Sequence, residues 1–338
     1  MTGTMKQWYI EKRDGKLDSL KLREVPKPKP GPGQALSLNY RDHVILHDAY
    51  GFPIKDDVVP ISDGAGEIVA VGEGVTKWQA GDRVMAIFSQ GHQDGFVTDE
   101  DGTTSLGGAI DGMAQQFIAL DQTGVVRIPE KYSFAQAASL PCAAVTAWNS
   151  LYGLEGRQLL TGQTVVTQGT GGVSLFGVQF AKAAGARVIA TTSSSEKEAM
   201  LKKMGADHVV NYKTTPQWGA EVKKLVPGGA HHIIEVGGPG TLEQSLASVR
   251  REGVISMIGF VAGEGKTPDL LQTLLKTCIV RGIWIGSRKQ AEQVVDAINV
   301  NGIEPTIDQT TFKFEDLPKA YDHLANARHV GKIIVNIE

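Results

Sequence analysis

Cysteine is nearly absent from this chain of 338 residues, which holds only Cys142 and Cys278. Two thiols cannot build a disulfide framework or a Cys-rich structural zinc site, so a reducing compartment is expected. Charge of one sign is lacking as well. A formal net charge of -3 sets up no field for a polyanion, and nucleic acid is not expected as a partner. No apolar run approaches the roughly 18 residues needed to span a bilayer. The N-terminal stretch reaches Lys6, Glu11, Lys12 and Arg13 without a signal-peptide core, so a cytoplasmic location with no membrane partner is expected. Internal repeats are missing too. What remains is 41% apolar and 21% charged, an ordinary globular balance, at a length that predicts about two domains.

The first third is rich in turn formers. Pro26, Pro28, Pro30 and Pro32 fall at even spacing, which excludes a PxxP register and reads as an extended loop. Short apolar runs follow, Gly66 to Gly72 and Gly81 to Ile87, in the pattern of a small β-barrel or sandwich. The polar, glycine-rich segment from Ser89 to Gly112 reads as a long surface loop. From about residue 124 strand runs alternate with helix-length segments, as in a parallel sheet of βαβ units. Six strands are predicted, at 164–168, 187–191, 208–210, 232–236, 254–258 and 278–283, the number of a doubly wound sheet. Between the first two, Val173, Phe176, Gly177, Phe180, Ala181 and Ala184 form an apolar stripe at helical spacing that Gly185 ends. A helix near 290–299 and a closing strand at 332–337 complete the pattern, the strand packing back on the first domain.

The chemistry is written most clearly at Gly169-Thr170-Gly171-Gly172. A glycine string alone is weak, but this one follows a predicted strand and opens a helix. Gly169 permits the tight turn, Gly171 lets backbone approach a pyrophosphate, and the helix from Val173 directs its N–H groups and positive dipole end at the phosphates. Ser174 stands in the third glycine position, small enough for close packing, with a hydroxyl free to cap the helix or bind phosphate. The plainer alternative is a left-handed turn in another α/β fold. At the end of the second strand, where an acid would contact a ribose 2′-hydroxyl, the chain has Thr191-Thr192-Ser193-Ser194-Ser195 and then Lys197. Hydroxyls and a lysine suit a 2′-phosphate, so NADP (NADPH) is expected and NAD less so; the alternative is a serine-rich helix start capping itself.

These residues resemble a known family. Ser37 to Asp42, Gly81 to Val84, Leu140 to Trp148, Gly205 to Tyr212, Arg281 to Arg288 and Gly331-Lys332, in this order, are similar to the zinc-independent, quinone-oxidoreductase-like branch of the medium-chain dehydrogenase/reductases. The resemblance implies an α/β fold: a GroES-like β-rich substrate domain over 1–123, completed by 288–338, and a Rossmann doubly wound parallel sheet over 124–287. It implies an active-site cleft at their junction, and a homodimer. Carried over residue by residue, it puts Gly169, Thr170, Gly171, Gly172 and Val173 at the phosphates and Ser193 and Lys197 at the 2′-phosphate. Tyr212 falls near the adenosine, and Gly259, Phe260, Gly286 and Ser287 on the nicotinamide side. Asn39 and Tyr40 become candidate donors to the acceptor oxygen, oriented by Asp42, with Thr146 facing the nicotinamide. A turn, core or hydrogen-bonded junction role is the alternative for each.

One departure from that pattern lies in the first domain. A full strand ordinarily separates the Pro-Gly-Gln turn from the Asn-Tyr-Arg-Asp motif, whereas here Gln34 runs at once into Ala35-Leu36-Ser37-Leu38. The chain is a strand-length short. A second concerns metal. Zinc alcohol dehydrogenases of the wider family carry a cysteine near the first motif, a Gly-His-Glu stretch and a third ligand downstream; here those places read Asn39, Asp63-Gly64-Ala65-Gly66 and Cys142. One thiolate cannot hold zinc, so no metal site is expected. His43 and His47, four apart, lack the glutamate of a hydrolase motif and read as surface residues, and Cys142 as a small buried thiol. Without a Lewis acid the acceptor must be polarised by hydrogen-bond donors, which favours conjugated carbonyls or quinones as substrate. Two further functions stay open: an alcohol or aldehyde oxidoreductase without metal, and a dinucleotide-binding sensor or structural protein with little catalysis.

Overall fold

The structure is a computed structural model that describes residues 3–28, 35–263, 265–327 and 329–337. Pro30, Pro32 and Gln34 lie outside them. The chain divides into two compact units, Met1–Val145 with Ile285–Glu338, and Thr146–Trp284.

The first unit opens with an antiparallel hairpin, β1 (Thr4–Ile10) and β2 (Leu20–Pro26), paired from Thr4↔Pro26 to Ile10↔Leu20. Met5, Trp8 and Ile10 are buried, and the Trp8 indole N–H donates to the Phe314 carbonyl at 2.9 Å. Next come β3 (Ala35–Leu38), α1 (Tyr40–Leu46), β4 (Asp63–Glu67), β5 (Arg83–Ala86), α2 (Asp99–Gly102), β6 (Val125–Arg127) and α3 (Phe134–Ala138). A π-helical turn, Leu140–Ala144, follows with all five residues buried. The C-terminal part returns to this unit as α10 (Arg288–Asn301), β13 (Ile307–Lys313), α11 (Leu317–Ala325) and β14 (Lys332–Asn336). Its six-stranded sheet runs β13-β14-β3-β4-β5-β6, antiparallel except for β13 and β14. β3 has β14 and β4 as its neighbours and every residue buried, which fixes the chain entering α1.

The second unit begins with α4 (Val145–Tyr152), most of which belongs to it, then alternates β7 (Thr164–Gln168), α5 (Gly172–Ala183), β8 (Arg187–Thr192), α6 (Ser195–Lys203), β9 (His208–Asn211), α7 (Trp218–Leu225), β10 (Ala230–Glu235), α8 (Leu242–Ser248), β11 (Val249–Met257), α9 (Leu271–Lys276) and β12 (Ile279–Gly282). Every pair is parallel, in the order β12-β11-β10-β7-β8-β9. This is the doubly wound sheet expected. All five residues of β7 are buried, as for a central strand covered on both faces. Among the described residues no helix is long and apolar enough to cross a membrane.

Three expectations need correction. The run Gly66–Gly72 is strand only to Glu67, and Val69 and Val71 are exposed. β11 starts five residues early, because Val249 pairs with Ala230 before a register shift carries the polar Arg250-Arg251-Glu252 past the ladder. The segment from Ser89 to Gly112 is largely packed: Ser89 bridges Ser105, Leu106 is fully buried, and Thr98 caps α2 by accepting the Asp101 N–H, leaving only 94–100 exposed as a run. Its glycines signalled close backbone packing, for a Cβ on Gly107 would press on the backbone of Ile61.

Candidate functional site

In the second unit the site follows from topology. Parallel strands bring all their carboxyl ends to one edge, and ligands of open α/β sheets sit there, where the strand order reverses. Here the reversal falls between β7 and β10. β7 ends at Gln168, and the chain turns through Gly169, at φ +73°, to Gly171, which caps α5 with extended backbone. A Cβ added to Gly169 or Gly171 would meet nothing within 4 Å, whereas the Ser174 hydroxyl donates to the Gln168 carbonyl at 2.6 Å and ties helix to strand. The turn is therefore an open cradle, and the Ser174 proton is spent on packing rather than offered to a phosphate. A dinucleotide pyrophosphate fits it, with Gly171, Gly172 and Val173 at the N-terminus of a twelve-residue helix.

The neighbouring strand ends complete that edge. After β8, Ser194 caps α6 by accepting the Lys197 N–H at 3.2 Å, so the self-capping alternative holds for Ser194. Ser193 is half-buried and Lys197 makes no ion pair among the described residues. Tyr212, exposed after β9, donates its backbone N–H to the Thr192 carbonyl at 3.0 Å, which sets it beside Ser193. Gly259 and the half-exposed Phe260 follow β11, Gly259 with its Cβ position 3.1 Å from the Val236 carbonyl oxygen. Thr146 lies in α4 with a buried hydroxyl that has no hydrogen-bond partner among the described residues.

Sequence reading missed Glu235. This fully buried carboxylate ends β10 and accepts the N–H groups of Gly237 and Gly238 at 2.8 and 3.0 Å, both hydroxyls of Thr241 and Ser245, and the Gln168 amide at 2.7 Å. It thus ties together the two strand ends at the reversal. The signal was the Glu-Val-Gly-Gly string after a predicted strand.

In the first unit Asn39 and Asp42 open α1, where the Asp42 carboxylate accepts the Asn39 N–H at 2.8 Å. Both are buried, but Tyr40 is 43% exposed with its ring 6.0 Å from His43. The structure therefore parts Tyr40 from the buried Asn39–Asp42 pair. Lys332, on β14 one residue before the Ile333↔Leu38 pair, is only 3% exposed and donates to the Leu38 carbonyl at 2.8 Å and to Asn39 Oδ1. Its Nζ is 3.5 Å from Asp63 Oδ2, which also accepts the Cys142 N–H at 3.2 Å. Asn39 Nδ2 is buried without a partner among the described residues, a state that costs about 1–3 kcal/mol. Burial lifts the Asp42 carboxyl to about 6 despite Arg41 beside it, and pushes the Cys142 thiol up to about 12. Gly286 and Ser287 also lie in this unit: Ser287 is buried and shares a capping box with Gln290 at the start of α10, and a Cβ on Gly286 would meet Val145 at 2.7 Å. The rings of His43, on α1, and His47, just past its end, lie 4.2 Å apart and tilted by 45°, one half-buried and one exposed.

Residues 33–130 match the alcohol dehydrogenase GroES-like domain, and residues 172–299 match the zinc-binding dehydrogenase family. A zinc-type alcohol dehydrogenase-like protein of Schizosaccharomyces pombe is 44% identical, over 95% of this chain and 96% of its own length. The crystal structure of a candidate alcohol dehydrogenase from Sinorhizobium meliloti superposes with a TM-score of 0.90 at 38% identity, covering 99% of both chains. An NAD-dependent alcohol dehydrogenase of solved structure gives 0.85 at 26% identity, over 99% of this chain and 100% of that one.

The chain belongs to the medium-chain dehydrogenase/reductase family. Within that family it is an alcohol dehydrogenase-like oxidoreductase, with a GroES-like domain and a nicotinamide dinucleotide-binding sheet domain. The zinc of other members does not fit the residues here. Zinc needs thiolate, imidazole or carboxylate donors, and the corresponding places hold a carboxamide, a carboxylate beside an ammonium, and a thiol that burial keeps protonated. Among the described residues no three His, Cys, Asp or Glu side chains gather to hold a metal.

Proposed function

We propose that this chain is a zinc-independent, NADPH-dependent oxidoreductase that delivers hydride to a conjugated carbonyl or a quinone. The observation that carries the reading is the set Asn39, Asp63 and Cys142: an amide N–H without a partner among the described residues, beside an ion pair and a neutral thiol. Such a set polarises an oxygen by hydrogen bonding, which suffices where developing charge spreads over a conjugated system. Gly169 to Val173 would hold the pyrophosphate, Ser193 and Lys197 a 2′-phosphate and Tyr212 the adenosine, with Gly259, Phe260, Gly286 and Ser287 toward the nicotinamide. When bound, the reduced nicotinamide supplies the hydride. Asn39 Nδ2 donates to the acceptor oxygen, Asp42 fixes the Asn39 backbone, and Thr146 faces the nicotinamide. Relatives named as alcohol dehydrogenases favour a second reading, turnover of simple alcohols or aldehydes without metal.

An acceptor panel of enones, quinones, simple ketones and aldehydes, followed by NADPH absorbance with and without chelator, separates these readings. Turnover confined to conjugated acceptors and indifferent to chelation is expected. Chelator-sensitive turnover with one zinc per chain would overturn the metal-independent reading, and NADPH binding without turnover would leave a sensor. A cytoplasmic homodimer completes the proposal: β12 is a sheet edge, and Leu270, Leu271, Leu274 and Leu275 beside it are all more than 60% exposed. Sedimentation should give a dimer.

A further inference from the structure

We propose that Lys332 is a positioning residue for the reduction, a buried cation in place of a metal that holds the Asn39 carboxamide with its N–H toward the substrate oxygen. The inference deepens the reading of Asn39 as donor and rests on it. An ammonium has three N–H bonds and accepts nothing. Lys332 Nζ faces three acceptors, the Leu38 carbonyl at 2.8 Å, Asn39 Oδ1, and Asp63 Oδ2 at 3.5 Å, and is 3% exposed. Every donor of Lys332 is committed, so it has none to give a substrate and acts through Asn39. The contact also settles the amide's orientation. Only the carbonyl oxygen of Asn39 can face an ammonium, so Nδ2 must point the other way. Nδ2 is buried and has no partner among the described residues. Donation of Oδ1 electron density to a cation makes the remaining N–H a stronger donor, as in any polarised hydrogen-bond chain.

Asp63 anchors this arrangement. It takes the Ser62 hydroxyl at 2.8 Å and the Cys142 N–H at 3.2 Å, and so is fixed in place beside Lys332. The relay Asp63–Lys332–Asn39 is drawn from three strands or strand ends, β4, β14 and β3, which are adjacent in one sheet. A metal would need those same lone pairs, and the ammonium already uses them.

The test combines kinetics with a spectroscopic readout. Lys332→Met together with Asp63→Asn removes cation and anion at once, leaving no unpaired charge. In protein carrying 15N at asparagine side chains, the Asn39 amide signal, assigned by its loss in Asn39→Asp, should shift toward that of a freely rotating amide in the double variant. Its kcat should fall about tenfold or more, with KM for the acceptor and Kd for NADPH within about twofold of wild type, since a donor made stronger in the transition state affects kcat. Asn39→Asp keeps an acceptor for Lys332 and deletes Nδ2–H; its kcat should fall about 100-fold, the usual loss for one oxyanion donor. An unmoved Asn39 signal, or a folded double variant with wild-type kcat, overturns the proposal. A double variant that does not fold leaves the decision to the Asn39 amide signal of the wild type, where the position of a freely rotating amide overturns the proposal and a displaced signal supports it. A wild type that turns over no acceptor, while the signal moves as expected, overturns the substrate reading and leaves the Lys332–Asn39 contact standing.

Discussion

Glu235 in the parallel-sheet unit and Asp63 in the antiparallel-sheet unit are both fully buried carboxylates, yet their partners differ in kind. Glu235 is solvated by backbone and side-chain dipoles, and all but Gln168 lie within ten residues of it in the chain. Asp63 is balanced by the Lys332 ammonium, 269 residues away. A carboxylate held by neutral local donors is a finished unit of the strand end; one held by a distant cation exists only when β14 has closed the sheet beside β3. The same contrast divides the candidate site. The dinucleotide edge is written in short, local strings, whereas the first unit's polar cluster is assembled by tertiary folding.

The largest expected effect probes this difference in stability. Asp63→Ala strands a buried ammonium and should lower unfolding free energy by about 3–5 kcal/mol. Glu235→Gln leaves no stranded charge and keeps one acceptor oxygen, so about 2 kcal/mol is expected. Denaturant midpoints of the two variants measure this. Equal losses would dissolve the contrast.

Two buried groups, one in each unit, should also respond to acid with opposite sign. His232 in β10 is buried, and burial first, then the charge of His231, lowers it from its ordinary 6.5 to about 4. The unfolded chain therefore binds the proton more readily, and this contribution is present above pH 6.5 and lost as pH falls through 4. Asp42 in the first unit is raised from 3.8 to about 6, chiefly by burial, so its contribution is present below pH 3.8 and lost as pH rises through 6. Each is worth up to about 3 kcal/mol, and the two oppose each other between pH 4 and 6. Relative to wild type, Asp42→Asn should steepen the loss of stability on acidification, and His232→Gln should reverse the slope. Parallel curves for wild type and both variants would mean that neither group titrates as its burial requires.

Function gives the next contrast. Gly171 sits at φ -75° with its Cβ direction open, so valine is sterically admissible in the empty turn. Gly171→Val should fold with unchanged stability and weaken NADPH by about 100-fold, about 2.7 kcal/mol. Calorimetric titration beside a denaturant melt decides it: undiminished binding would move the dinucleotide away from this turn.

What the residues disclosed in advance follows the same division. All six strands of the second unit, the helix after Gly171 and the stop at Gly185 were legible, because burial of a parallel strand and a glycine's positive φ are local properties. Glu235 was passed over since its importance appears only once Gln168 is seen across the reversal. In the first unit Asn39, Asp63, Cys142 and Lys332 were all noted, each in a separate motif, but no spacing rule joins positions so far apart. The misread Gly66–Gly72 strand and the packed 89–112 segment have the same origin, since a strand needs a neighbour and a glycine-rich run needs to know what presses on it.

The smallest effect concerns the outer end of the dinucleotide edge. The structure uses Ser194 Oγ as the cap of α6, accepting the Lys197 N–H, so under the proposed function its hydroxyl proton stays available beside Ser193 and Lys197. No acid stands at the end of β8, where a carboxylate would take a ribose 2′-hydroxyl and repel a phosphate. Lys197 makes no ion pair among the described residues and so gives up no partner on meeting a phosphate. A charge-assisted contact of this sort, with Ser193 helping, is worth roughly 1.4 kcal/mol, or about tenfold in favour of NADPH over NADH. Lys197→Glu should shrink or invert that ratio with little change in NADH affinity, because the substitution touches only the phosphate end and leaves the turn at Gly169 to Val173 as it is. Titrating both cofactors against wild type and variant in low and moderate salt gives the answer. Salt should narrow the wild-type ratio, since Lys197 is only half-buried and ions still reach its charge. A wild-type ratio near one, or one indifferent to the charge at position 197, would show that the β8 end does not choose the cofactor.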